Sequence, residues 1–190
     1  VLARAVADGV LPRVQAIGIA VVLFGAGGES TAALIGSALL GLARDPALQG
    51  TLRSDPELIP RFVEEVVRLE SPFKFHYRVV RRACTLGGVD LDPGDRLMLL
   101  WASANRDATI FEAPDELRLD RRHPKQHMGF GRGGHFCVGA GLARLEARIV
   151  VEQLLLRTRR VAPRAGDAPR FAPSLFVRRL DRLALEIEPR

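Results

Sequence analysis

The chain has 190 residues, of which 47% are hydrophobic and 26% charged, an ordinary balance for one globular domain with its own core. Its net charge of +6 lies mainly on scattered arginines without aromatic–basic interleaving, which argues against a nucleic-acid-binding protein. The two cysteines, Cys84 and Cys137, do not make a disulfide framework, so the sequence predicts a reducing, cytoplasmic environment.

The first elements are helical. Residues Leu2 to Ala7 predict the end of a short helix, and apolar residues at helical spacing predict a long one from Arg13 to about Ala43. That long helix would span roughly 45 Å. Its uncharged runs, Val14 to Gly28 and Ser30 to Ala43, are each shorter than the ~18 residues of a membrane span, which favours a buried core helix and no membrane.

An acid interrupts this apolar helix at Glu29, between Gly27-Gly28 and Ser30-Thr31. A carboxylate is costly to bury unless something uses it. The two glycines weaken the helix, and the Ser30 hydroxyl can bond the carbonyl four residues back and bend it. Two interpretations remain open: a softened helix crossing with Glu29 in solvent, and a functional acid.

Two further helices are predicted by Asp45-Pro46 and Asp55-Pro56, each an N-cap followed by a first-turn proline. The second helix runs to about Leu69 and contains Glu65 and Arg68. Residues three apart share a helical face, so these two form an ion pair, by default an exposed one worth little.

A small antiparallel sheet is predicted next. Short stretches rich in β-formers are separated by turns at Gly87-Gly88 and Pro93-Gly94-Asp95. The stretches are 75–80, 84–86, 89–91 and 96–100. Near the end of the chain, residues 171–187 predict a hairpin.

The most informative segment, called here the cysteine loop, runs from Phe130 to Gly139 and holds four glycines in ten residues. Such a loop takes positive φ angles and brings its backbone against a flat object. Cys137 lies near its exit, beside a helix predicted over Ala140 to Arg159. The partial positive charge at that helix start stabilises a thiolate, the form of cysteine that ligates a metal.

Other interpretations of this loop fit the residues less well. A G-x-G-x-x-G pattern starts at Gly129, but the residues before it predict no buried strand, which dinucleotide binding requires. A zinc site lacks a C-x-x-C pair, and Pro124 disrupts a shared helical face. Its ligands would be His123, His127, His135 and Cys137. An ordinary glycine turn leaves the spacing of Phe, Gly, His, Cys and Gly unexplained.

The loop resembles the cysteine-ligand segment of the cytochrome P450 family, F-x-x-G-x-H-x-C-x-G, and the LARLE run after it is typical of the soluble bacterial type. The matching residues are Phe130, Gly133, His135, Cys137 and Gly139. The resemblance implies that Cys137 is the axial thiolate ligand of the iron of haem b. It further implies that His135 contacts a haem propionate and that Phe130 packs beside the sulfur, with Gly131 and Gly139 in the same cofactor-binding loop.

The resemblance extends to three other segments. Ala26 to Thr31 is similar to the family's A-G-x-[DE]-[TS]-T motif, which implies that Glu29 and Ser30, with Thr31, form the acid–alcohol group that delivers protons during oxygen activation. Most members have threonine where Ser30 stands. The E-x-x-R match implies a buried structural triad of Glu65, Arg68 and Arg121 that holds the cysteine loop. Arg78 stands where the family places a propionate-binding arginine; the alternative is a strand-end surface arginine.

The substrate contacts implied by the resemblance lie on three segments. They are Phe24, Gly27, Phe73, Phe75, Phe176 and Val177. Arg179 stands where a glycine is common in the family, so the turn of the last hairpin departs from the family pattern.

The fold implied is mainly α with a small antiparallel β part, the C-terminal haem-binding half of the cytochrome P450 fold. Residues 1–190 would then be a single partial domain that lacks the N-terminal half. The function implied is a cytoplasmic monooxygenase that inserts one atom of O₂ into a small organic substrate with electrons from a ferredoxin-like partner. The alternative is a truncated fragment that binds haem weakly or not at all and has no activity.

Overall fold

The computed structural model describes residues 1–190 and contains six α-helices. They are α1 (Leu2–Ala7), α2 (Arg13–Arg44), α3 (Pro46–Ser54), α4 (Ile59–Leu69), α5 (Trp101–Ala104) and α6 (Ala140–Arg157). Short 3₁₀ turns occupy Pro56–Leu58, Pro124–Gln126 and Gly133–His135. The two Asp-Pro starts behave as predicted, because Asp45 accepts a hydrogen bond from Leu48 N–H and Asp55 accepts one from Glu57 N–H.

Eight short strands form four separate antiparallel pairs. The pairs are β1 (His76–Val79) with β4 (Arg96–Leu99), β2 (Cys84–Leu86) with β3 (Val89–Leu91), β5 (Thr158–Pro163) with β8 (Leu185–Pro189), and β6 (Arg170–Phe171) with β7 (Leu180–Arg182). The single sheet predicted over residues 75–100 is therefore wrong in one respect. It is two nested hairpins, since β1 pairs with β4 and encloses β2 and β3.

Two helix boundaries differ from the prediction. The helix expected from Pro56 begins as a 3₁₀ turn and becomes α-helical only at Ile59, with Pro60 in its first turn. The last helix ends at Arg157 and not at Arg159, because the β-branched Thr158 is already extended and starts β5.

The core lies where α4 packs between α2 and α6. Leu34, Ala38 and Leu42 recur every four residues on α2, so they form one buried stripe. Ala147, Val151 and Leu155 do the same on α6. Phe62, Val63, Val66 and Val67 of α4 fill the space between the two stripes. Every residue of α4 from Phe62 to Arg68 is buried, which fixes this helix as the centre of the fold.

Helix α2 has two different halves. By length and composition it is apolar enough to cross a membrane, a test that core helices also pass. Its second half, from Thr31 to Ala43, carries eight of its nine buried residues. The first half exposes its apolar side chains, including Val14, Val21 and Phe24. The second half is thus a core helix, as predicted, while most apolar side chains of the first half are left exposed.

Replacement of Phe62 by alanine is expected to destabilise the fold by about 3–5 kcal/mol, because its ring is fully buried among α2 and α6. The matched control is Phe24→Ala on the exposed half of α2, where the ring is 88% exposed and a much smaller change is expected. Urea unfolding followed by circular dichroism measures both. Equal losses of stability would contradict this assignment of the core.

Candidate functional site

The cysteine loop contains the 3₁₀ turn Gly133–His135 and leads into α6. Its shape is held by its own backbone hydrogen bonds. Cys137 N–H donates to Phe130 O at 2.9 Å, and Phe136 N–H donates to Gly133 O at 3.0 Å. Gly131 and Gly133 have φ angles of 70° and 72°, which side chains disfavour. The loop ends at Gly139, directly before α6, and its Cys137 thiol is exposed and unpaired.

The residue directly before the loop, Gly129, packs closely on α4. A Cβ added at Gly129 would lie 2.4 Å from Cγ1 of Val67 and 3.1 Å from the Val67 carbonyl oxygen. The first distance is shorter than real Cβ contacts and the second is tighter than most of them, so any larger residue would push this segment away from the helix. Glycine is required here for close approach.

A second anchor is the Glu64 carboxylate of α4, only 5% exposed. Arg144 of α6 binds it through two nitrogens, at 2.6 and 3.1 Å, and His127 Nε2 lies 2.8 Å away. His127 Nδ1 accepts from Gly129 N–H at 3.1 Å, so the neutral ring carries its proton on Nε2 and donates it to Glu64. The Arg144 guanidinium also lies over the Phe130 ring, 4.4 Å from its centroid.

The pKa of Glu64 lies below its ordinary value. Burial alone would raise that pKa, but the hydrogen bonds from His127 and Arg144 stabilise the carboxylate more than burial penalises it. The ionised carboxylate therefore ties His127, just before the cysteine loop, to Arg144 of α6, the helix after it.

The adjacent Glu65 anchors the segment before the loop, residues 105–121, called here the meander segment. Its carboxylate and the Arg68 guanidinium are both fully buried and joined by two bonds, of 2.7 and 2.8 Å. Arg121 donates to Glu65 at 2.9 Å, and the Arg118 N–H donates at 3.0 Å. The structure thus brings Glu65, Arg68 and Arg121 together, and their pairing is buried rather than the exposed default of the sequence.

The arginines of this cluster also bind backbone carbonyls of the meander segment. Arg68 donates to the carbonyls of Asn105, Pro114 and Glu116, and Arg121 to those of Glu112, Ala113 and Glu116. Ala113 has a φ of 43°, the one positive φ outside glycine. Burial would raise the pKa of Glu65, but the bonds from Arg68, Arg118 and Arg121 hold that pKa below its ordinary value.

The acid and alcohol of α2 sit in helical backbone that runs unbroken through the glycine pair. Ser30 Oγ donates to the Ala26 carbonyl at 2.7 Å, the bond expected from the sequence. Glu29, which is half exposed, pairs with Arg179 at 2.9 Å. Thr31 is buried. Arg179, the departure from the family pattern, is therefore the ion-pair partner of the candidate acid.

Four of the six candidate substrate contacts meet in one place. Phe176 packs against Phe73 and Phe75 with ring centroids 5.1 and 5.4 Å apart, and Val177 forms a β-bridge with Phe73. Phe24 is 88% exposed, and Gly27 has open space around it, so α2 adds nothing to this group.

Arg78 of β1 is half-buried and donates only to the Tyr77 carbonyl, while His135 is exposed at the end of its 3₁₀ turn.

Two features of the site were not predicted from the sequence. His76 joins the same ring cluster and accepts a 2.7 Å hydrogen bond from Trp101 Nε1–H. Burial, with a contribution from Arg78, lowers the pKa of His76, so it is neutral. The Glu64–Arg144 pair was also missed. Its signal was two adjacent glutamates in a helix that is otherwise apolar around them.

A comparison with known protein families gives one match over most of the chain. The family model described as Cytochrome P450 matches residues 16–183, most of the chain. This chain belongs to the cytochrome P450 family. The predicted family is therefore confirmed.

Curated cytochromes P450 from bacteria are similar over almost the whole chain. Cytochrome P450 144 of Mycobacterium tuberculosis is 52% identical over 187 residues, which are 98% of this chain and 43% of the relative. Cytochrome P450-terp of Pseudomonas sp is 40% identical over 152 residues, 80% of this chain and 35% of the relative. The chain therefore spans less than half the length of these relatives.

Solved structures agree. The substrate-free cytochrome P450 CYP150A6 of Mycobacterium marinum superposes with a TM-score of 0.90 at 38% identity, covering 96% of this chain and 47% of that one. CYP109E1 of Bacillus megaterium in complex with testosterone gives 0.87 at 36% identity, covering 94% and 49%. The predicted fold class, a mainly α part of the cytochrome P450 fold with small antiparallel sheets, is confirmed.

The cysteine loop fits the haem-thiolate group that the family implies. It offers one exposed sulfur between Phe136 and Val138, whose apolar side chains are 52% and 87% exposed. A single soft donor beside apolar surface suits an iron carried by a large flat apolar group. The zinc alternative does not fit, because no three His, Cys, Asp or Glu side chains are grouped to hold a metal and His127 is bound to Glu64.

Replacement of Glu65 by glutamine keeps the shape of the side chain and removes its charge, which leaves Arg68 buried without a counter-charge. The expected loss of stability is roughly 3–5 kcal/mol. The matched control is Glu152→Gln, which breaks the partly exposed Arg148–Glu152 pair and is expected to cost about 0–1 kcal/mol. Urea unfolding compares the two. Similar small effects would contradict a structural role for the Glu65 cluster.

Proposed function

We propose that this chain is the haem-binding, catalytic part of a bacterial haem-thiolate monooxygenase that inserts one oxygen atom from O₂ into a small organic substrate. The observation that carries the proposal is the exposed Cys137 thiol at the start of α6, on a loop anchored by Glu64, within a chain of the cytochrome P450 family. In this proposal the protein acts in the cytoplasm, without a membrane or nucleic acid as partner.

Cys137 is the proposed ligand of the iron of haem b. Its position three residues before α6, an 18-residue helix, places it near the positive dipole end of that helix. When bound, haem with a thiolate ligand supplies the activation of O₂ that this chemistry needs. Arg78 and His135 bind the propionates in this proposal, since neither side chain has an acidic partner within the chain.

Phe130, Gly131 and Gly139 shape the surroundings of the sulfur. Phe130 is held in place from behind by the Arg144 guanidinium, and Gly131 supplies the positive φ that turns the chain. The cluster of Glu65, Arg68 and Arg121 holds the meander segment, which precedes this loop in the chain. Together these contacts keep the sulfur at a fixed position.

Glu29, Ser30 and Thr31 deliver protons in the proposed reaction. The Ser30 hydroxyl donates to Ala26 O, so its oxygen lone pairs stay free to accept a hydrogen bond, through which a proton can be passed on when the hydroxyl turns to donate its own hydrogen. Glu29 is half exposed beside Arg179, so its carboxyl group is in contact with water.

The electron donor is proposed to be a ferredoxin-like acidic protein. Arg122, Lys125 and Arg132 line an open depression next to the cysteine loop, and no acidic or hydrophobic residue lines it. A basic surface favours a negatively charged partner and speeds its approach. This surface lies a few residues before Cys137 along the chain, which suits electron delivery to the proposed iron.

The substrate is proposed to contact Phe73, Phe75, Phe176 and Val177, which present an apolar wall, together with Phe24 and Gly27 of α2. Similar proteins have been solved with testosterone and with a hexadecenoic acid carried on acyl carrier protein. Apolar small molecules are therefore the proposed substrate class.

A second candidate function is favoured by one observation, the coverage of less than half of each relative. On that alternative the 190 residues alone bind haem weakly and catalyse nothing. Haem retention during gel filtration separates the two, since a monooxygenase part that holds haem by itself keeps its absorbance with the protein peak.

Cys137→Ala is expected to abolish the red-shifted, thiolate-type Soret band of the reduced, carbon-monoxide-treated protein, because no other soft ligand stands at the start of α6. Cys84→Ala is the matched control, since Cys84 is also an exposed thiol, on β2, and its loss should leave the band intact. A wild-type protein without this band, or a band that survives in Cys137→Ala, would refute the assignment.

Ser30→Ala is expected to leave haem absorbance unchanged and to divert electrons from product into hydrogen peroxide, because the proton-donating hydroxyl is gone. Ser30→Thr restores a hydroxyl and should restore coupling. Peroxide released per electron pair consumed, with a ferredoxin-type donor, is the measurement. If Ser30→Ala couples as well as the wild type, protons reach the site by another route.

A further inference from the structure

Helix α2 and the last hairpin lie against each other beside the proposed proton path. Leu180 of β7 contacts α2 at Gly36, where an added Cβ would lie 3.5 Å from Leu180 Cδ1. Glu29 precedes Gly36 by two helical turns, so the two residues share one face of α2. Arg179 directly precedes Leu180 and β7. It therefore stands on the side of α2 that carries Glu29.

The Arg179 side chain reaches Glu29 directly, with Nε 2.9 Å from Oε1 of the carboxylate. A charged hydrogen bond of this length holds the two side chains in one geometry. A partly exposed pair of this kind adds little to stability, so its main effect is on where the Glu29 carboxylate lies.

The backbone that carries Arg179 is fixed on both sides. Arg178 N–H donates to Pro72 O at 2.8 Å, and Ala172 N–H donates to Arg179 O at 3.0 Å. The two adjacent arginines bind different acids, since Arg178 pairs with Glu70 at the end of α4. The Arg179 guanidinium thus extends to α2 from a backbone that is held in place.

The same short segment carries part of the proposed substrate wall. Phe176 and Val177 lie three and two residues before Arg179. The Phe176 ring packs on Phe73, and Val177 forms a β-bridge with that residue. Residues 176–179 therefore contact the aromatic wall at one end and Glu29 at the other.

We propose that Arg179 is a positioning residue for Glu29, through which the last hairpin fixes the proton path on α2. The inference rests on the proposed function and adds to it a residue at a position where the family commonly has glycine. A carboxylate accepts hydrogen bonds from water, so its position decides where the water that supplies protons to the adjacent Ser30 is held. Arg179 itself gives up no proton.

A zero-length crosslink tests the contact without haem. In the Arg179→Lys variant a carbodiimide joins the new amine to the Glu29 carboxylate, with loss of water, only where the two groups meet. Peptide mass spectrometry is expected to find this crosslink, and to lose it when Glu29→Gln is added. A variant that folds but gives no crosslink would overturn the inference, because the pair would not exist in solution.

Peroxide released per electron pair, with a ferredoxin-type donor, tests the role. Arg179→Gln is expected to raise it roughly threefold or more, with haem absorbance and the substrate dissociation constant unchanged. Arg179→Lys keeps the charge and should restore coupling. In a Glu29→Gln background Arg179→Gln should change nothing further, because Arg179 acts through Glu29. Arg170→Gln is the matched control, since it breaks the Arg170–Asp181 pair of the same hairpin and should behave as the wild type.

Coupling in Arg179→Gln equal to that of the wild type would overturn the inference. The same loss in both the wild-type and the Glu29→Gln background would also overturn it, since Arg179 would then act by another route. Either result together with a thiolate-type carbon-monoxide band refutes only the role of Arg179. A crosslink in a protein without that band refutes the monooxygenase proposal, and the role of Arg179 in proton delivery falls with it.

Discussion

The buried carboxylate of Glu65 is the interaction on which the rest of this structure depends. It accepts bonds from Arg68, Arg121 and the Arg118 backbone, and through the two arginines it reaches six carbonyl bonds of the meander segment. Two full charges out of water would be a net cost by themselves. The cost is offset because nearly every donor of Arg68 is satisfied by a carboxylate or a carbonyl. The cluster therefore organises a long irregular segment that has almost no regular structure of its own.

Two neighbouring glutamates divide the work of positioning the cysteine loop. Glu65 points to the meander segment, and Glu64, one residue earlier on α4 and so turned to another face, holds His127 and Arg144. The contacts of Glu65 fix the chain before the loop, and the contact of Glu64 with Arg144 fixes the helix after it. Between them the loop needs only its glycines and two backbone bonds to expose Cys137. Rigidity at the sulfur thus comes from α4 rather than from the loop.

Much of this could be predicted from the sequence where the signal is local. Helix starts at Asp-Pro pairs, the glycine turns of the hairpins and the spacing around Cys137 each depend on a few adjacent residues. What could not be predicted depends on distance. Glu64 meets His127 and Arg144 across 63 and 80 residues, and spacing alone cannot separate a buried Glu65–Arg68 pair from an exposed one. The nesting of β1 and β4 around β2 and β3 was missed for the same reason, since it is a matter of pairing and not of propensity.

The left-handed backbone of Ala113 bears on how this molecule folds. A non-glycine residue in that conformation is disfavoured by roughly 1–2 kcal/mol, so residues 112–116 have no tendency to take this shape in an unfolded chain. The backbone takes this conformation where its carbonyl groups accept hydrogen bonds from Arg68 and Arg121. Arg68 lies more than forty residues before Pro114 in the sequence. Contacts over such separations form slowly because the intervening chain must first be closed into a loop. We therefore expect residues 112–116 to become ordered only after α4, which carries Arg68, has formed.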